Sequence, residues 1–275
     1  MRLKENVGSV IALWRYPVKS MLGEELNFSE ITEYGLVGDR LYALVDAADG
    51  KIASAKNPRK WPSMFDFRAV LADSPRISTH LPAVRITLHD GGVVDSRQPD
   101  IDLVLSKALT REVRLQSRSP GLGVTTSEEY NTGDQDNAAM DTITEFTLPE
   151  GTFFDTGIVH LLTTATIDRL SSLYPEGRVE VRRFRPNIVI ETVRKESDFV
   201  ENSWVGRVLA VGDSVRLILT ALCGRCVMTT LAQADLPYDR GILRAAVQHN
   251  HSKVGIYACV LEGGTVRRGD SITLE

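Results

Sequence analysis

The fold class is indicated most clearly by residues 208–220, VLAVGDSVRLILT, in which two apolar runs flank Gly212-Asp213. Apolar residues in each run follow the two-residue period of a β-strand, and a Gly-Asp pair favours the turn between two strands. The segment VRRGDS at 266–271 has a similar pattern near the C-terminus. The two segments predict a pair of similar turns in a β-structure rather than a solenoid repeat.

Further strands are predicted by apolar runs on the N-terminal side of this segment. In the first hundred residues these runs lie at 10–16, 41–46 and 84–89, and turn-forming glycines follow at Asp49-Gly50 and Asp90-Gly91-Gly92. Many short strands without regular strand–helix alternation predict a mainly β fold with helical decorations (α+β), built as a β-barrel.

Two more β segments are predicted in the C-terminal half of the chain. One covers 179–190, and the other is a final hairpin around Glu262-Gly263-Gly264. Three segments have the spacing of helices instead. These are 101–109, a segment that begins at Thr163 or Thr164 and ends at Pro175, and 240–249 with Ile242, Leu243, Ala246 and Val247 facing inward.

The composition is that of an ordinary globular protein, with 43% hydrophobic and 25% charged residues. A formal net charge of -4 argues against nucleic acid as a partner, and no apolar run is long enough to span a bilayer. The N-terminus lacks the pattern of a signal peptide. Three cysteines do not indicate a disulfide framework, so the sequence predicts a cytoplasmic protein.

Residues 117–155 are rich in glycine, threonine, asparagine and acidic residues and show little periodicity. Such a long segment predicts a functional loop or a lid. Its acidic groups, Glu128-Glu129 and Asp134 to Asp136, are interpreted as solvated surface or as part of a docking surface for another protein.

The strongest chemical motif is Cys223-Gly224-Arg225-Cys226, which lies between a predicted strand and the run Val-Met-Thr-Thr. Four interpretations remain open. The pair could be a redox dithiol, half of a zinc site completed by Cys259 with His249 and His251, a single thiolate ligand for a transition metal, or two buried hydrophobic residues. Arg225 is expected to favour the thiolate form of a neighbouring cysteine.

The motif resembles the Cys-x-Arg-Cys-x-x-Thr-Thr signature of the MOSC family, named after the C-terminal domain of molybdenum-cofactor sulfurase. The two-domain layout resembles the amidoxime-reducing members of that family. Further similar motifs occur in the same order along the chain. They are Tyr16-Pro17-Val18-Lys19-Ser20, Gly35-Leu36-Val37-Gly38-Asp39-Arg40, His160-Leu161-Leu162-Thr163-Thr164, Phe184-Arg185-Pro186-Asn187-Ile188, and Trp204 with Gly206 and Val211-Gly212-Asp213.

The resemblance implies a MOSC-type β-barrel with two domains, an N-terminal β-rich domain over 1–105 and a MOSC domain over 106–275. It implies a molybdenum cofactor, molybdopterin, with Cys226 as the metal ligand and no need for pyridoxal phosphate. The residues that it implies as contacts of the pterin or its phosphate are Lys19, Ser20, Arg40, Thr163, Thr164, Arg185, Asn187, Gly224 and Arg225. His160 is interpreted as a packing residue.

The resemblance also implies an oxidoreductase that reduces N-hydroxylated or N-oxide compounds by oxygen-atom transfer at the cysteine-ligated molybdenum. Its electrons would come from a separate flavin or iron–sulfur reductase or a cytochrome, because three cysteines cannot hold a four-cysteine cluster in addition to Cys226. Two alternatives stay open. One is a sulfur carrier or transferase that uses a Cys226 persulfide, and the other is a non-catalytic carrier of the cofactor.

Overall fold

A computed structural model describes residues 4–73, 81–118, 123–131, 142–193 and 198–275. The strands are β1 (Glu5–Arg15), β2 (Glu24–Leu26), β3 (Phe28–Thr32), β4 (Gly35–Leu36), β5 (Tyr42–Asp46), β6 (Arg68–Leu71), β7 (Val84–Thr87), β8 (Val93–Asp95), β9 (Val113–Ser117), β10 (Thr126–Asn131), β11 (Thr142–Thr147), β12 (Val159–Thr163), β13 (Ile188–Thr192), β14 (Val208–Val211), β15 (Val215–Gly224), β16 (Lys253–Glu262), β17 (Gly264–Arg267) and β18 (Ser271–Leu274). The helices are α1 (Ile101–Leu109), α2 (Thr164–Leu173) and α3 (Arg240–Asn250).

The main sheet closes into a barrel of seven strands in the order β13-β12-β16-β15-β14-β18-β1. The barrel closes because β1 pairs with both β18 and β13. Its interior is filled by alternate apolar side chains, among them Leu13, Leu161 and Leu217, which are fully buried. The predicted mainly β fold with a β-barrel is confirmed.

A second apolar core in the N-terminal half is formed with two small sheets, β5-β9 and β6-β7-β8, and with α1. It is formed by residues such as Phe67, Ile86 and Leu105, and Met228 from the C-terminal half also packs into it. The predicted domain boundary at residue 105 lies inside α1, whose Leu105 and Leu109 belong to this core. Strand β1 belongs to the barrel, so the chain begins in the barrel before it enters the N-terminal core.

The predicted starts of two structural elements are confirmed. Thr163 caps α2, since its hydroxyl accepts a hydrogen bond from the Thr166 N–H at 3.2 Å. The first Gly-Asp turn connects β14 to β15, and Gly212 has the positive φ (55°) that glycine tolerates best.

Three sequence predictions are wrong in part. Val247 is 45% exposed and Leu243 is only partly buried, so the buried face of α3 consists of Ile242, Ala245, Ala246 and Asn250 instead. The strand predicted over 179–190 begins with a 3-10 turn, and only its end forms β13. Within the described residues β16 and β17 do not pair as the predicted terminal hairpin, because β17 pairs with β3 and buries Val266 in the barrel.

The segment interpreted as a loop over 117–155 contains an antiparallel hairpin of β10 and β11. Its first strand lies beside the N-terminal half of the chain, where the Ile52 N–H donates to Thr126 O at 2.8 Å and the Tyr130 N–H donates to Lys56 O at 2.8 Å. The acidic residues 134–136 lie outside the described residues.

Candidate functional site

A cavity of about 480 Å³ lies where the N-terminal half of the chain meets the rim of the barrel. Its walls combine residues from both halves of the sequence. The side chains that line it include Lys19, Ser20, Arg40, Lys56, Glu129, Asp155, His160, Arg185, Asn187, Arg225, Cys226, Lys253 and Tyr257, together with Gly224. The structure therefore brings together eight of the ten residues that the family resemblance implies.

Lys19 and Ser20 enter the cavity from a segment whose backbone is held by β5. The Lys19 N–H donates to Tyr42 O at 2.9 Å, and the Lys19 ammonium donates to Phe153 O at 2.9 Å and pairs with Asp155. Both predicted side chains are buried. Burial lowers the pKa of Lys19, and the attraction of Asp155 opposes that shift.

Arg40 is presented by a tight turn in which its own φ is 46°. Its guanidinium pairs with Asp39 and lies 4.6 Å from the centre of the Tyr16 ring. The Asp39 carboxylate also accepts hydrogen bonds from the Tyr16 N–H at 2.7 Å and from Asn187 Nδ2 at 2.9 Å. The Gly-Asp-Arg turn is therefore both an ion-paired turn and a wall of the cavity.

Arg185 is a buried guanidinium that contacts aromatic rings and one backbone carbonyl. It lies 4.2 Å from the Tyr16 ring centre and donates to Met21 O at 2.7 Å. Burial and the nearby Arg40 charge lower the pKa of Arg185 to about 10. Among the described residues no carboxylate forms a salt bridge with Arg185, and Asp39 and Asp155 act on its charge without such a contact.

The two cysteines of the motif occupy different environments at the end of β15. Cys223 belongs to the strand and is fully buried, and Arg225 Nη1 lies 2.6 Å from its sulfur. Cys226 follows the strand, is partly buried and lines the cavity. The guanidinium expected to favour a thiolate therefore contacts Cys223, the cysteine that is not the expected metal ligand.

The thiol pKa values reflect this division. Burial alone would raise the pKa of Cys223, but Arg225 and His160 lower it to about 6. Burial raises the pKa of Cys226 to about 11, with Lys56 opposing and Glu129 reinforcing the shift. Cys226 therefore becomes a thiolate readily only when a cation approaches its sulfur closely.

Sequence reasoning missed a set of charged residues in the cavity. Lys56 pairs with Glu129 at 3.3 Å and with Asp155 at 3.4 Å, and Asp155 also pairs with Lys19. The two lysine charges hold the pKa of Asp155 well below its usual range against the effect of burial. Glu129 belongs to the segment predicted as loop or lid, and only its acidic character hinted at a role.

His160 was interpreted as a packing residue, and its ring does fill a buried position. Its two ring nitrogens face Arg185 O at 3.5 Å and Val254 O at 3.3 Å, and its ring packs at 5.6 Å against Tyr257. It also lines the cavity and lowers the pKa of Cys223, so packing is not its only effect.

Two predicted contact residues, Thr163 and Thr164, do not line the cavity. The N-terminus of α2, where both residues lie, is occupied by the protein's own Glu201. This buried carboxyl group accepts the Thr163 N–H at 2.6 Å and a short hydrogen bond from the Thr166 hydroxyl. Burial raises the pKa of Glu201, which favours the protonated acid beside the helix.

The zinc and dithiol interpretations receive no support from the site. Across the described ranges, no three His, Cys, Asp or Glu side chains come close enough together to hold a metal ion. Cys226 is followed by a 3-10 turn, Val227–Thr230, rather than by the helix that activates a redox dithiol.

Comparison with known proteins identifies the class. The family model described as the MOSC domain matches residues 150–273, and the model described as the MOSC N-terminal beta barrel domain matches residues 7–120. The chain therefore belongs to the MOSC-domain proteins and contains both domains.

Known relatives support the same family assignment, although their sequence identity to the chain is low. The chain is 24% identical to mitochondrial amidoxime-reducing component 1 of Mus musculus, over 99% of this chain and 84% of that protein. It is 25% identical to the Homo sapiens component 1, over 84% of this chain and 68% of that protein.

The YUAD protein from Bacillus subtilis shares the fold, with a TM-score of 0.50, 11% identity and coverage of 100% of this chain and 98% of that one. In the part of the chain that the structure describes, we find no helix long and apolar enough to cross a membrane.

Proposed function

We propose that this protein is a molybdenum-cofactor-dependent reductase of N-hydroxylated or N-oxide compounds. The observation that carries the proposal is the position of Cys226 in one cavity with Lys19, Arg40 and Arg185, which are far apart in sequence. The amidoxime-reducing relatives and the MOSC domain support the same assignment.

The residues present fit a phosphorylated pterin that carries sulfur ligands. Six cationic side chains line the cavity against two carboxylates, which suits a ligand with several negative charges. In addition, Arg225 Nε is buried and has no hydrogen-bond partner among the described residues, so it is a donor ready for a ligand acceptor. The partly buried Cys226 supplies the soft sulfur that molybdenum prefers.

The predicted contacts that line the cavity would each have a role in binding the pterin. Arg40 and Arg185 would bind the phosphate with their forked donors, and Lys19 would add a point charge. Ser20 and Asn187 would donate or accept hydrogen bonds to the pterin. Gly224 would leave room for it, since a Cβ there would lie 3.3 Å from Lys253 Nζ.

When bound, the cofactor supplies the two-electron chemistry that removes oxygen from an N–O bond. The protein holds Cys226 at one wall of the cavity and its guanidinium groups at the others, so it fixes the ligand orientation. A separate flavin or iron–sulfur reductase, or a cytochrome, would supply electrons.

The proposal is tested by metal and pterin analysis of the protein made in a cofactor-competent host. We expect stoichiometric molybdenum and turnover of an N-hydroxylated compound with a chemical reductant. The Cys226→Ser variant should lose both, whereas Cys259→Ser, which changes an exposed cysteine, should keep both. Full molybdenum in Cys226→Ser would overturn the ligand assignment.

The same preparation separates the two alternatives. A persulfide on Cys226 in metal-free, pterin-free protein, detected by mass spectrometry, would indicate a sulfur carrier. Tightly bound pterin without any turnover would indicate a non-catalytic carrier. The raised pKa of Cys226 does not favour the sulfur carrier, because the attacking species in sulfur exchange is a thiolate.

A further inference from the structure

Arg183 is the largest fully buried side chain, yet it makes no salt bridge with any described residue. Its guanidinium donates instead to backbone carbonyls. Nε donates to Arg178 O at 2.8 Å, Nη1 to Thr229 O and Leu231 O at 3.3 Å each, and Nη2 to Pro237 O at 2.9 Å. A buried cation without a carboxylate is costly, so these carbonyls must compensate for its lost hydration.

Three of these four carbonyls, those of Thr229, Leu231 and Pro237, belong to the segment that follows Cys226. The Thr229 N–H and hydroxyl both donate to Cys226 O, at 3.2 and 3.0 Å, and Thr229 O in turn accepts from Arg183. Two steps of hydrogen bonding therefore connect the Arg183 guanidinium to the backbone of Cys226.

Arg183 also belongs to the 3-10 turn that leads into Phe184 and Arg185, both of which line the cavity. A second arginine connects the same two segments in the opposite direction, since Arg225 Nη2 donates to Phe184 O at 2.9 Å. The two arginines thus cross-link the segment that carries Arg185 and the segment that carries Cys226, each donating to the backbone of the other.

We propose that Arg183 is a positioning residue that fixes the Cys226 turn against the Arg185 segment, and so sets the distance between the cavity's sulfur and its buried cation. Only arginine has side-chain donors far enough apart to reach three carbonyls of the loop after Cys226 and the Arg178 carbonyl as well. The consequence for catalysis rests on the proposed function, whereas the positioning itself is a property of the protein alone.

The chain carries its own probes for a test that needs no cofactor. Cys259 is exposed, Cys223 is fully buried in β15, and Cys226 lies on the turn that Arg183 holds. In apo-protein, the alkylation rate of each cysteine is followed by mass spectrometry. Cys259 serves as the reference, Cys223 reports general loosening of the barrel, and Cys226 reports release of the turn.

In Arg183→Met we expect the Cys226 rate to rise about tenfold or more relative to Cys259, because several hydrogen bonds to the loop are lost. The Cys223 rate should not change. The matched control is Arg182→Met, which removes a partly exposed neighbour that pairs with Glu180 and Asp235. It should leave all three rates unchanged.

Two further variants keep the test decisive if Arg183→Met does not fold. Arg183→Lys retains the charge but reaches fewer carbonyls, and Thr229→Val keeps the shape but loses the hydroxyl that donates to Cys226 O. Each should raise the Cys226 rate alone, by less than Arg183→Met. Unchanged Cys226 rates in folded variants, or equal rises at Cys223 and Cys226, would overturn the proposal. The result of this test does not depend on reductase activity.

Discussion

Cys223 and Cys226 are separated by two residues, yet the protein treats their sulfur atoms in opposite ways. Cys223 has no exposure and contacts a guanidinium, and the resulting pKa is about 6. Cys226 lines the cavity without such a contact, and burial raises its pKa to about 11. Cys223, whose thiol pKa is lowered, is buried, whereas Cys226, whose thiol pKa is raised, is accessible from the cavity.

The difference depends on Arg225. Its contact with Cys223 holds the Arg225 side chain in place, and Arg225 forms no permanent ion pair with Cys226. Cys226 then remains available for a metal cation, whose approach would supply the positive charge that its thiolate requires. The distinction between the two cysteines leads to the following predictions.

The largest effect is expected when Cys226 and Cys223 are each replaced by serine in separate variants. Cys226→Ser should lower molybdenum content to background and activity more than about 100-fold, since even indirect supports of metal ligands are worth 10- to 100-fold. Cys223→Ser should keep most of the molybdenum, because Cys223 has no access to the cavity. Metal analysis of both proteins checks this, and equal losses would mean that the two sulfurs are not functionally distinct.

A second effect concerns stability and pH. The pKa of Cys223 is lowered from 9.0 to about 6 in the folded protein, so between these values the unfolded chain binds more protons. The contribution to stability is therefore fully present above pH 9 and is lost as the pH falls through 6, with a slope of at most about 1.4 kcal/mol per pH unit.

Chemical denaturation of apo-protein at several pH values measures this contribution. The free energy of unfolding of the wild type, relative to Cys223→Ser, should increase between pH 6 and pH 9. The difference in unfolding free energy between the wild type and Cys259→Ser should not change with pH, because Cys259 is exposed. A flat difference for Cys223 as well would show that its thiol is neutral in the folded protein.

The sequence predicted the parts of this molecule that depend on local pattern. The β-barrel, the Thr163 cap and the Gly212-Asp213 turn follow from periodicity and from turn chemistry, and eight of the ten candidate site residues that the motifs imply line one cavity. What failed depended on partners distant in sequence. Glu201 occupies the helix N-terminus that Thr163 begins, and no local pattern connects residues 38 positions apart.

The charged cavity residues were missed for the same reason. Lys56, Glu129 and Asp155 lie in three segments without a shared motif, and only the tertiary fold brings them together, with Glu129 carried by the hairpin of β10 and β11. That hairpin has few buried apolar residues, so its strands lack the alternation by which strands are recognised in a sequence.

A third prediction concerns the contact between Arg225 and Cys223. In Arg225→Met, burial acts on Cys223 with less opposition, so its pKa should rise from about 6 by at least about one unit. The ultraviolet absorbance of the thiolate, followed in a Cys226→Ser, Cys259→Ser background, isolates this sulfur. His160 still lowers the pKa, so it need not reach the value for burial alone. An unchanged pKa would assign the effect to His160 and Tyr257 instead of Arg225.

The smallest expected effect tests the surroundings of Cys226. Glu129 raises the pKa of Cys226 directly and also pairs with Lys56, which lowers it. Glu129→Gln removes the first influence and leaves Lys56 paired with Asp155 alone, so both changes should lower the Cys226 pKa, by less than about one unit at this partly exposed site.

The pH dependence of Cys226 alkylation in a Cys223→Ser, Cys259→Ser background measures this shift. Glu145→Gln is the matched control, because Glu145 lies on the same hairpin but is exposed and pairs with Lys51. A shift of similar size in both variants would indicate a general loss of negative charge from the hairpin. A shift confined to Glu129→Gln would show that the pKa of Cys226 is set in part by a segment that the sequence pattern predicts only as loop. The pKa of Cys226 would then depend on a residue of the N-terminal half of the chain, and that of Cys223 on residues of the barrel.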